Sequence, residues 1–190
     1  MSGDNVSTVN TQQTEASLIA NSGEKIGQSI SHIYTVECYG PDGQLKWTDT
    51  YRNLTTTAGL NKYLDATLKT GLTSPTWYVG LITGPGAGNT YAAADVMSSH
   101  AGWTENTTYS NVTRPQWNPG SVAAGSVDNS ASKAVFNISG SATIAGCFMV
   151  DNSTKGGTSG TLLGEGNFSG GDRAVQNGDT LNVTVTCTQS

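Results

Sequence analysis

The stretch LNVTVTC, residues 181–187, alternates an apolar side chain with an amide or hydroxyl one at every step. Successive side chains of a strand point to opposite faces, so the pattern describes a sheet with one face in a core and one in water. The same alternation recurs upstream. Tyr34, Val36 and Cys38 share one face, GPDG (40–43) reverses the chain, and Leu45, Trp47 and Tyr51 resume the apolar positions, which reads as a hairpin. KAVFNIS (133–139) places Ala134, Phe136 and Ile138 on one side. A weaker strand, GTLLGEGNF (160–168), follows, and the turns TKGGTSG and QNGD connect these last segments.

Two segments break the alternation. TWYVGLI (76–82) and IAGCFMV (144–150) are apolar on both faces, so they are expected to lie centrally or to have their second face covered. One cover is at hand. Thr55, Thr56 and Thr57 can cap a helix in which Leu60, Leu64 and Leu68 recur at four-residue spacing beside Tyr63, with Gly71 closing it. The fold expected is all-β, a β-sandwich of Ig-like or jelly-roll type, with one packed α-helix and an extended N-terminal arm.

The domain boundary is read at 31/32. Residues 1–31 are rich in Ser, Thr, Asn and Gln, with isolated apolar residues that include Leu18, Ile19, Ile26 and Ile30, too sparse for a core of their own. Extended, such an arm reaches on the order of 100 Å, further than the domain is wide, which suits it to touching neighbours. Residues 32–190 form the sandwich domain. Within it, the long irregular stretch 99–131 carries Trp103, Tyr109 and Trp117, and a loop of that length is expected to serve an interface.

Composition narrows the partners. Charged residues make up 12% of the 190-residue chain, about half the usual share, so the surface is mainly hydroxyl and amide. The net charge of −5 and the scattering of nine Lys and Arg argue against nucleic acid. No apolar run reaches the roughly 18–20 residues of a membrane span, and the polar N-terminus has no signal-peptide pattern, so folding in the cytosol is expected. Cys38, Cys147 and Cys187 lie in strands without metal-ligand spacing and read as small buried side chains.

Chemistry finds little support. The two histidines are His32, at a strand start, and His100, near Asp95 and Glu105; no paired-His, HExxH or EF-hand spacing accompanies them. GPGAGN (84–89) and KGGTSG (155–160) lack a phosphate-loop lysine, and SGGDR (169–173) lacks the regular oxygen ligands of a Ca²⁺ loop. No nucleophile elbow is present. Hence no catalytic residue, metal or cofactor is expected, and the chain is not read as an enzyme.

The phrases NLTTTAGLN (53–61), WYVGLI (77–82), AAADVMSSHAGWTE (92–105), GSVDNSASKAVF (125–136), KGGTSGTL (155–162), SGGDRAV (169–175) and NGDTLNVTVT (177–186) resemble a family of small virion structural proteins of tailed bacteriophages. The resemblance covers about residues 34–188 and leaves out the arm. It implies a virion component, best refined as a capsid decoration or cement protein on the capsid surface, assembled in the host cytoplasm. Its implied partners are the major capsid protein and copies of itself. In that role Leu18, Ile19, Ile26, Ile30, Trp103, Tyr109 and Trp117 are the expected interface residues. The alternative is a tail, neck or fibre component that binds a receptor or glycan, with Trp103 and Trp117 as exposed stacking groups.

Overall fold

In the computed structural model, which describes residues 30–189, ten strands and one α-helix follow one another along the chain. They are β1 (Ile30–Tyr39), β2 (Leu45–Thr55), α1 (Thr57–Leu68), β3 (Tyr78–Thr83), β4 (Glu105–Asn106), β5 (Ser126–Asp128), β6 (Ala134–Asn137), β7 (Ala142–Val150), β8 (Leu162–Asn167), β9 (Arg173–Val175) and β10 (Thr180–Gln189). All pairings are antiparallel and run in the order β4-β3-β7-β8-β2-β1-β10-β5, with β6 on β10 and β9 on β7. The path folds at β2. That strand pairs β1 from Leu45 to Asn53 and reaches β8 only through Leu54 and Thr55. The two halves on either side of this corner face each other, and one core of Tyr34, Val36, Leu81, Cys147, Met149 and Val183 draws side chains from both.

The alternation of β10 is realised as written: Leu181, Val183, Val185 and Cys187 are buried and the residues between them half-buried. Opposite them on β1 stand Cys38, Val36, Tyr34 and His32. Each such fully buried Val or Leu contributes about 1.5–3 kcal/mol relative to exposure. The far edge of β10 is divided between β5 and β6, and the side chain of Asn129 fills the gap. Its Oδ1 accepts from Val185 N–H at 2.7 Å and its Nδ2 donates to Val183 C=O at 3.1 Å, continuing the ladder where no backbone is in register. The three cysteines are free and buried.

Three expectations require correction. Strand β1 starts at Ile30, so Ile30 and Ser31 belong to the sheet rather than to the arm. The helix forms with Thr56 as its cap, its hydroxyl accepting from Gly59 N–H at 3.0 Å, but Leu60, Leu64 and Leu68 do not pack on the sheet: all three are exposed. The contact runs instead through Gly59, where a Cβ would sit 2.6 Å from Leu163 C=O, and through Tyr63. Lacking a side chain at Gly59, the helix seats its backbone on β8, and that close approach rotates the leucine stripe outward. Nor does the helix cover the second face of β3 and β7. Met97 and Trp103, from the segment between β3 and β4, pack there against Ile82, Phe148, Val150 and Leu162.

His32 joins helix to sheet. Its buried ring stacks on Tyr63, with Nδ1 3.1 Å from Thr55 Oγ1 and Nε2 3.0 Å from the Tyr63 hydroxyl. Burial pulls its pKa down from 6.5 to about 4. The unfolded chain takes up this proton first as pH falls, so the contribution of His32 to stability is complete above 6.5 and lost on the way down to 4. In an NMR titration the His32 imidazole is expected to remain neutral at pH 5; a folded-state midpoint at the ordinary histidine value would contradict its burial.

Candidate functional site: an apolar groove beside the helix

Because Gly59 and Tyr63 hold α1 on the body, the outward leucines border a groove rather than a flat surface. Tyr63, Leu64 and Leu68 form one wall, Val122 and Val127 the other, and Ile30 and Cys187 close it at the sheet; its volume is about 480 Å³. A second hollow of about 230 Å³, lined by Trp77, Trp117 and Pro119, shares Tyr63, Val122, Val127 and Cys187 with the first and extends it. Leu64 is 57% exposed, Leu68 75% and Val122 72%. Contiguous apolar exposure of this kind marks an interaction surface more often than scattered single residues do. The Val122 wall is shaped by a tight reversal in which Ala124 (φ 49°) and Gly125 (φ 71°) both adopt the left-handed conformation. Alanine is disfavoured there by roughly 1–2 kcal/mol, so the neighbouring contacts hold this turn in place. The floor is rigid through the bond between Tyr63 and His32, and burial pushes the Tyr63 hydroxyl far above its ordinary pKa.

Of the seven residues expected at an interface, Ile30 lines this groove. Leu18, Ile19 and Ile26 lie outside the described residues. Trp103, Tyr109 and Trp117 are buried in the chain's own interior. Trp103 packs on Phe148 and donates Nε1–H to Glu165 Oε2 at 2.6 Å; Tyr109 meets Phe136 edge-on; Trp117 donates Nε1–H to Val185 C=O at 3.1 Å. The stretch 99–131 thus spends its aromatics on the core, because the half-sheet of β3, β7 and β8 has two apolar faces to cover. Trp103 and Trp117 accordingly offer no open ring faces for stacking a sugar, and Trp117 shows only an edge at the groove's extension.

The polar clusters act as clamps. His100 stacks on Trp103 at 3.9 Å between ring centroids, and Glu105 is bonded to Arg114, so these two groups do not converge. Among the described residues no group of three or more His, Cys, Asp or Glu is placed to hold a metal ion. In SGGDR, Asp172 accepts from Gly86 N–H at 2.8 Å. Asp49 in turn receives Ser169 N–H, Ser169 Oγ–H, Gly170 N–H and Arg173 Nη2 at 2.9–3.0 Å, a turn tied to β2 rather than a cation loop. Those bonds hold the Asp49 carboxyl below its ordinary pKa against the opposing effect of burial.

Two groups escaped the sequence reading. Arg114 is fully buried in an ion pair, and Glu165 is a buried carboxyl facing Asp95. A lone Arg in a loop and a Glu within LLGEGN carry no local sign of burial; only the glycines flanking Glu165, which admit close backbone approach, hint at it. No protein-family model matches the chain, and no curated protein matches it significantly.

Proposed function

We propose that this chain is a structural component of a tailed-bacteriophage particle, acting as a decoration or cement protein that binds the capsid shell. The observation that carries the reading is the exposed groove of Leu64, Leu68 and Val122 on a charge-poor β body. Such a surface gains by being covered by protein, and repetition over a lattice lets many weak contacts add. The resemblance of phrases such as AAADVMSSHAGWTE to small virion proteins supports the same reading. Its partners are then the major capsid protein and further copies of itself. A reconstruction of the intact particle tests it: copies on the order of hundreds, seated over capsomer junctions, are expected, whereas roughly six or twelve copies would move the protein to the neck or tail. Absence from purified particles would end the proposal.

A further inference from the structure

Between β3 and β4 a strap, residues 92–103, lies over the outer face of β3, β7 and β8. Much of its hydrogen bonding closes on itself. Asp95 N–H donates to Ala92 C=O at 2.9 Å, Ala92 N–H donates to the Asp95 carboxylate at 3.1 Å, and Val96 and Ser99 exchange both backbone bonds. Its ends meet where Thr90 N–H donates to Gly102 C=O at 3.2 Å, so the strap is a compact loop closed at its neck. The body holds it through Met97 and Trp103, which plug the apolar surface of Ile82, Phe148, Val150 and Leu162, and through Thr57 N–H, which donates to Ala93 C=O at 2.7 Å. The remaining attachment is polar. Trp103 Nε1–H donates to Glu165 Oε2 at 2.6 Å, and the half-buried Asp95 faces the fully buried Glu165, whose Oε1 has no hydrogen-bond donor. Two carboxylates have no donor between them. A proton on one turns their repulsion into a short, strong hydrogen bond.

We propose that the strap is a proton-held cover: one proton shared by Glu165 and Asp95 latches it, and loss of that proton in alkaline solution lifts it from Ile82, Phe148 and Leu162 while the sandwich stays folded. Across the ladder from Glu165 stand Leu54 of β2 and Phe148 of β7; Arg114 lies over the Phe148 ring, and Glu105 engages it. Residues 57–60, where the helix meets the strap, carry no charge. Tyr91 stays neutral, its hydroxyl pushed up to about 12 chiefly by burial with Glu165 and Asp172 adding to the rise, and His100 stacks on Trp103. Release therefore follows Glu165. Its pKa is about 8 under the strap and returns toward 4.5 in water, so the latch is complete below pH 4.5 and is lost as pH rises through 8. Leu64, Leu68 and Val122 take no part, which leaves the groove beside α1 exposed and lets the virion reading stand or fall separately.

Hydrogen exchange of two buried indoles in the full-length chain tests the cover, because Trp117 Nε1–H is held away from the strap by Val185 C=O of β10. After correction for intrinsic exchange, Trp103 Nε1–H is expected to be less protected than Trp117 Nε1–H by about tenfold or more, the mark of local opening. Between pH 6 and pH 9 it is expected to lose about a hundredfold of that protection. Glu165→Gln leaves His100 in place and removes the shared proton, so the decline should vanish. Asp95→Asn supplies an amide donor to Glu165 at a half-buried position; it should hold the strap at pH 9, and it carries the comparison if Glu165→Gln does not fold. Equal protection of the two indoles would mean that Trp103 is freed only by global unfolding, and would overturn the proposal. So would a Trp103 protection independent of pH in the parent, or the same decline in the variants.

Discussion

Replacing Arg114 by methionine is expected to cost about 3–5 kcal/mol, the largest loss predicted for any single residue of this chain. The guanidinium is fully buried. Its Nε and Nη2 donate to the two oxygens of Glu105 at 2.9 and 2.7 Å, while Nη1 and Nη2 also donate to the carbonyls of Asn152 and Gly157 at 2.9 and 2.7 Å. Gly156 N–H completes the set on Glu105 at 2.8 Å. Removing the cation strands a desolvated carboxylate and two carbonyls, and that uncompensated charge, more than the lost attraction, sets the magnitude. Thermal unfolding should fall by about 6–20 °C, given roughly 2–4 °C per kcal/mol in a chain of this size. Arg114→Met combined with Glu105→Met should recover a substantial part of the loss. If the single variant melts within a degree or two of the parent, the pair is not buried as described.

The second large effect concerns Glu165 and alkaline pH. Burial, reinforced by the neighbouring Asp95 carboxylate and opposed by the Trp103 N–H, raises its pKa from 4.5 to about 8. Oε1 is buried with no hydrogen-bond partner, an arrangement suited to a neutral carboxyl and costly for an anion. The folded protein keeps this proton where the unfolded chain has lost it. The contribution of Glu165 is therefore complete below pH 4.5 and disappears as pH rises through 8. Between 4.5 and 6.5 it opposes that of His32, which weakens as pH falls; above 6.5 Glu165 acts without this opposition. Glu165→Gln keeps an acceptor for Trp103 and removes the titration. At pH 9 the variant is expected to be more stable than the parent by about 2–4 kcal/mol, with little difference at pH 5. Denaturant unfolding at both values checks this, and parallel stability profiles would refute a retained proton.

Much of the fold was open to reading because it rests on local periodicity. Leu181, Val183, Val185 and Cys187 are buried as the alternation requires, and the hairpin of Tyr34, Val36 and Cys38 with Tyr51 forms in register. The helix shows where such reading stops. The spacing of Leu60, Leu64 and Leu68 correctly announces a helix, yet the buried side is chosen by Gly59 against Leu163, a steric match between residues about a hundred positions apart. Trp103 and Trp117 likewise read as surface because they lie in a loop, yet Trp103 covers the second apolar face of β3 and β7 and Trp117 joins the main core beside Val185. The groove is a by-product of both, and neither wall announces it in sequence.

From the order of residues alone came the strands β1, β2, β3, β6, β7, β8 and β10, a threonine cap within Thr55–Thr57 and the buried cysteines, since each depends on neighbours within a few positions along an extended or helical backbone, whereas the short β4, β5 and β9 carry too few residues to show a period. The three-dimensional packing alone decided which leucines stay in water, which carboxyl keeps its proton and which arginine is sealed inside. Those outcomes are set by desolvation and close contact between distant segments, as when Trp103 meets Glu165 across 62 positions of chain. No local pattern encodes the surroundings that such segments make for one another.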